Sequence, residues 1–124
     1  MPIKSSNFIL TKGYPAAAAI TKKKAVKFTG DGSQSVTPIT AVGDIVCGVA
    51  QFSVSATEIT KGKKATVITN GRAVMTGALA ISEGAVVYID NTGQATTVAT
   101  SATRIGICDE PCAGAGLDCS VSLD

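Results

Sequence analysis

The chain has 124 residues, four cysteines, no histidine, no tryptophan and a formal net charge of +2. That length fits one domain with a core large enough to fold without covalent staples. The absence of histidine excludes Ser-His and Cys-His nucleophile pairs and imidazole metal ligands. The charge is segregated: residues 1–72 hold ten Lys/Arg against three acids, and residues 73–124 hold one arginine against six acids. The two parts carry +7 and −5, a pattern expected of partner binding or head-to-tail self-association, or of a solvated surface that happens to segregate.

In chain order, residues 1–22 read as an extended N-terminal arm. Pro2, Gly13 and Pro15 interrupt it, and Phe8, Ile9 and Leu10 form its one strong apolar cluster. Ala16–Ala19 are too few to hold a helix in water. The start lacks the continuous apolar core of a signal peptide, and no run is long enough to span a bilayer, so the expectation is a soluble protein made in a cytoplasm with no membrane partner.

Residues 23–124 read as a β domain. In "KKAVKFT" the alternation places Val26 and Phe28 on the core face and Ala25, Lys27 and Thr29 opposite. "GDGS" at 30–33 is a turn, and Gly48 inside "DIVCGVAQFSV" marks a bulge or a close backbone approach. "KKATVIT" ends at Asn70-Gly71, a two-residue hairpin signal, with "RAVMTGA" as its return strand. "ALAISEG" at 78–84 has room for one helical turn. "AVVYID" puts Val87 and Ile89 on one face and Val86 and Tyr88 on the other. "TRIGICD" pairs Ile105 with Ile107, and "DCSVSLD" aligns Cys119, Val121 and Leu123. About eight short strands spaced near ten residues predict an all-β fold, a small β-barrel or a β-sandwich. No tandem repeat of fixed period is found; the glycine-apolar pairs in "CGVA" and "IGIC" are too short to establish one.

Chemistry is sparse. Asp31, Asp44, Glu83 and Asp90 sit beside turn glycines and read as turn formers rather than acid/base pairs. Cys108, Cys112 and Cys119 cluster as C-x3-C-x6-C, with Cys47 alone on a predicted strand. Three readings stand for them: buried small apolar thiols, a disulfide from Cys112 to Cys108 or Cys119, and a four-cysteine zinc site that lacks the usual paired C-x2-C knuckles. "GDGS" and "GKK" lack phosphate-loop spacing. The clusters Lys22–Lys24 and Lys61–Lys64 lack the aromatics of a nucleic-acid face and read as solvated edge lysines that block stray strand pairing. No catalytic, cofactor or metal residue is assigned. The candidate partner-binding residues are Phe8, Ile9, Leu10, Lys22, Lys23 and Lys24.

One arrangement is familiar: "GDIVCGVA", then "GRAVMTGALAISEGAVVYIDNTGQATT", then "RIGICDEP" and a terminal strand. Over roughly residues 42–110 this resembles the small head decoration, or cement, proteins of tailed bacteriophages. The resemblance implies a β-barrel or sandwich on the outside of a capsid, usually a homotrimer on local three-fold positions. There it would clamp neighbouring major capsid protein subunits against internal DNA pressure, without catalysis or cofactor. The cysteine-rich "CDEPCAGAGLDC" departs from that pattern. The alternative is another virion β-module, a tail, spike or fibre component.

Overall fold

The computed structural model describes residues 10–100 and 102–124. In the first half the elements are β1 (Leu10–Pro15), β2 (Ala25–Phe28), β3 (Val36–Pro38), β4 (Gly48–Ala50), the helical turn α1 (Ala56–Thr60) and β5 (Lys64–Asn70). In the second they are β6 (Arg72–Thr76), β7 (Val86–Ile89), β8 (Ala95–Thr96), β9 (Thr103–Glu110) and β10 (Asp118–Leu123). They form two five-stranded antiparallel sheets, ordered β1-β5-β4-β2-β3 and β6-β10-β9-β7-β8, which do not close into a barrel. The expected all-β class holds, and of the two architectures it is the sandwich-like one that forms.

Counted within its own half, each sheet has the same order: first, fifth, fourth, second, third. The registers correspond as well. Val26–Gly48 in the first sheet matches Val87–Gly106 in the second. Ala50–Val67 matches Cys108–Val121, and Tyr14–Ala65 matches Met75–Cys119. Even the isolated bridges repeat: a parallel Ala16–Val36 with an antiparallel Ile20–Val54, then a parallel Gly77–Ala95 with an antiparallel Ile81–Cys112. The chain is one supersecondary unit used twice. The spacing between equivalents shrinks along the chain because α1 and a longer β2–β3 turn occur only in the first half. No fixed period can therefore register, although "CGVA" and "IGIC" occupy equivalent positions.

The cores follow the same rule. The first half buries Ala16, Ile20, Val26, Val36, Ala50, Val54, Ala65 and Val67 together. Their equivalents, among them Ile81, Val87, Ala95, Cys108, Cys112, Cys119 and Val121, form the core of the second half. Into that second core the first sheet also sends its other face, Ala25, Val49 and Ile68, with Ile39 just past β3. The middle of the first sheet, around Ala25–Val26, Val49–Ala50 and Val67–Ile68, is thus buried on both sides, so Ala25 and Val26 are both inside and simple alternation does not apply there.

Gly48 and Gly106 explain why both halves need a glycine here. A Cβ on Gly48 would run into the Ile68 carbonyl and Val67, and one on Gly106 into the Ser122 carbonyl and Leu123. The close approach expected at Gly48 is present. β7 and β10 bury the predicted faces: Val87 and Ile89, and Cys119, Val121 and Leu123.

Other expectations need correction. Asn70-Gly71 is not a hairpin. β5 and β6 lie in different sheets, and Gly71, at φ 93°, carries the chain across while its N–H donates to Asn70 Oδ1 and its carbonyl accepts from Leu123. Ile107 does not share the core face with Ile105. The ladder jumps from Val87–Gly106 to Tyr88–Arg104, and this bulge at Ile105 shifts the phase, leaving Ile105 and Cys108 buried and Ile107 half-buried. Residues 78–84 form a bridge and turns rather than a helical turn. The helical turn is α1, begun by a reciprocal capping box between Ser55 and Glu58.

Candidate interaction surface

The six sequence-predicted partner-binding residues are not brought together. Phe8 and Ile9 lie outside the described residues. Leu10 opens edge strand β1 opposite Asn70 and is partly exposed. Within the segment expected to be an arm, Leu10–Pro15 is thus a strand of the chain's own sheet, and Ala16 and Ile20 are buried.

Lys22 and Lys24 bond within the first half, and Lys23 between them joins the two halves. The Lys22 N–H donates to Ser53 Oγ at 3.0 Å. The Lys23 N–H donates to the Ala50 carbonyl at 2.8 Å, and its own carbonyl accepts from Thr76 N–H at 2.9 Å. The Lys23 ammonium meets Asp118 at 2.7 Å. The Lys24 carbonyl accepts from Ala50 N–H at 2.9 Å. Lys23 holds φ at 66°, a left-handed backbone that side-chain-bearing residues seldom adopt, and its equivalent in the second half is Gly84, at φ 83°.

Phe28 is on the surface, not in the core. It sits at the open end of the first half, edge-on to Tyr14 with ring centroids 5.2 Å apart. The two rings line an open groove of about 610 Å³ with Lys12, Gly13, Pro15, Ser33, Gln34 and Lys64. The sequence reading missed this groove because it assigned Tyr14 to an arm and Phe28 to the interior.

The acids behave as turn formers where the structure pairs them. Asp31 accepts from the Ser33 N–H and from the Ser33 and Thr29 hydroxyls, which hold its carboxyl down at about 2. Asp44 accepts from Lys27 Nζ and from the Thr40 and Ala41 N–H groups, and is likewise held at about 2. Asp90 accepts from the Thr92 and Gln94 N–H groups and closes the β7–β8 turn. The loop that Asp44 ties down presents Ile45, which is 85% exposed, and Val42.

The thiols are free, with Cys47 half-buried and Cys108, Cys112 and Cys119 buried. Burial, together with Cys112 and Cys108 nearby, pushes Cys119 up to about 12, and burial also raises Cys47 and Cys108. These groups pack as small apolar side chains. Among the described residues no group of three His, Cys, Asp or Glu is arranged to hold a metal ion, and no helix is long and apolar enough to cross a membrane. What this surface offers is apolar and charged contact area on a rigid frame.

Comparison with curated proteins returns no match. Among solved structures, a chain from "The capsid of Myoviridae Phage XM1" superposes with a TM-score of 0.76 at 20% identity, covering 99% of this chain and 88% of that one. The head fiber gp8.5 N base of bacteriophage phi29 superposes with a TM-score of 0.68 at 16% identity, covering 94% of this chain and 95% of that one. At those identities the likeness is one of fold. A family model described as phage cement protein matches residues 13–123.

Proposed function

Because the chain belongs to the phage cement protein family and is thereby a structural protein of a phage virion, we propose that it binds the outer surface of the head and stabilises contacts between major capsid protein subunits. The family match over nearly the whole chain carries this reading. The protein acts by occupancy, without turnover or cofactor, as a homotrimer made in the host cytoplasm and added to the shell. A rigid two-sheet frame suits the task, because a clamp that deforms transmits no restraint. The exposed Ile45 and Val42, held in place by the Asp44-capped loop, supply apolar contact area for the shell. The N-terminal segment with Phe8 and Ile9 adds a further hold on a neighbour by adding a strand to its sheet edge, and Lys22 contributes charge.

Labelled electron microscopy of particles tests the location. Density on the head shell is the expected result. Density confined to the tail would favour the other virion role, a tail, spike or fibre module. Removing residues 2–9 should leave the two sheets folded and weaken attachment to heads in a pull-down; equal capture would remove the role given to Phe8 and Ile9.

A further inference from the structure

Within the chain, the first half closes the second. Lys23–Ala25 lie across the end of the second sheet: Thr76 N–H donates to the Lys23 carbonyl and Ala25 N–H to the Gly93 carbonyl, each at 2.9 Å. Asp118 takes the Lys23 ammonium, and a Cβ on Gly93 would strike the Ala25 backbone. Behind this segment, Ala25, Val49, Ile68 and Ile39 of the first sheet enter the second core.

The strand equivalence transfers that seat to the first half. Thr76 corresponds to Pro15, Met75 to Tyr14, Ile89 to Phe28 and Asp118 to Lys64, and the Gly93 turn corresponds to the turn holding Ser33 and Gln34. These are the residues that line the groove. The segment that fills the seat has a counterpart too. Lys22 corresponds to Glu83, Lys23 to Gly84 (both with positive φ) and Ala25 to Val86. The face behind it corresponds to Val86, Ile107 and Ser122, with Val98 in the place of Ile39. Of these Val86, Ile107 and Ser122 are half-buried, and Val98 is 56% exposed.

We infer that the Tyr14–Phe28 groove of one copy receives the Glu83–Val86 segment and the outer face of the second sheet of another copy, head to tail, repeating between chains the contact that joins the halves within one. The charges agree. Inside the chain a base on the occupant, Lys23, meets an acid on the seat, Asp118. Between chains the counterpart of Lys23 is Gly84, which carries no charge, and the acid on the occupant is its neighbour Glu83, with Lys64 and Lys12 on the seat. The +7 and −5 of the two parts of the chain attract in the same sense. Three departures make the contact weaker between chains than within one, as befits a contact formed after folding. Pro15 has no N–H to stand for that of Thr76, Ser122 replaces Ile68, and Gly84 has no side chain to stand for the Lys23 ammonium. A heterologous contact of this kind forms a ring when its rotation closes. The closure at three copies rests on the trimer proposed above, and the pairwise contact does not.

The test uses the full chain in a Cys47→Ser background. Lys64→Cys and Glu83→Cys variants are mixed and oxidised, free at high concentration and bound to heads. The expected product is a mixed disulfide between the two variants, and in the Lys64→Cys/Glu83→Cys double variant a ladder that ends in a closed species. Equal cross-linking within each single variant would show a symmetric contact and overturn the inference, as would no mixed disulfide in either setting. Head binding without the mixed disulfide sinks this contact and leaves decoration standing; the mixed disulfide without head binding does the reverse. In parallel, Lys64→Glu should weaken self-association roughly fivefold, and Glu83→Lys added to it should restore the loss. No rescue would also count against the pairing.

Discussion

Lys23 shows how one position carries several duties. Its backbone is left-handed, its N–H and carbonyl join β4 to β6, and its ammonium reaches Asp118. The sequence reading found the basic cluster at 22–24 but read it as solvated edge charge. Nothing in a single lysine announces a positive φ, and the signal lay in its equivalent, Gly84. Replacing Gly84 with alanine should cost about 1–2 kcal/mol, measured by urea unfolding, because a Cβ is crowded in that backbone region. At the same scale, Asp31 and Asp44 fall from an ordinary 3.8, and Glu58 from 4.5, to about 2 through hydrogen bonds made in the folded chain. A carboxyl with a lowered folded value contributes its stability in full above its unfolded value and loses it as pH falls through the folded one. The melting temperature should therefore hold steady from neutral pH down to about 5 and fall between about pH 4 and 2. In Asp44→Asn that acid-limb loss should be smaller. A decline that begins near neutral pH would contradict this assignment.

At the scale of elements, alternation was legible where a strand has one core face. β7 and β10 bury the sets that period-two reading selects. It failed where tertiary structure overrides the period. The bulge at Ile105 puts Ile107 outside the core, the double burial of the sheet centre puts Ala25 inside along with Val26, and Phe28, on the Val26 face, lies beyond the core at the groove. Asn70-Gly71 carries a strong local turn signal, yet the chain uses its left-handed glycine to leave one sheet and begin the next. The Ser55–Glu58 capping box is legible in the sequence, but it opens a helix of only five residues, too short for a helical period to show. Gly48 and Gly106 should respond alike to alanine, each losing about 1–3 kcal/mol or more, since the obstruction is a neighbouring backbone and not a movable side chain. A tolerant Gly106 with an intolerant Gly48 would break the equivalence of the halves. Val26→Asp and Val87→Asp should each abolish the folded state, seen as loss of the cooperative thermal transition, because each places an unpaired charge in a closed core.

For the whole molecule, composition already pointed to a sheet-built frame without an imidazole, and the cement-like motif order lay within the region that the family model matches. The internal duplication was hidden because its loops differ in length and many of its equivalents differ in residue type. Ala50 stands for Cys108, Val54 for Cys112 and Ala65 for Cys119, which also explains why a cysteine-rich end packs as ordinary core. The segregated charge acquires a physical role once the halves are aligned, since it places base on the groove and acid on the segment that matches it.

The central claim is attachment to the head with a gain in its strength. Its most direct measurement mixes the purified protein with undecorated heads and follows saturable binding together with the temperature at which heads rupture. A fixed number of copies per head and a higher rupture temperature are expected, both diminished by Ile45→Asp. Absence of binding, or binding that leaves the rupture temperature where it was, would contradict it.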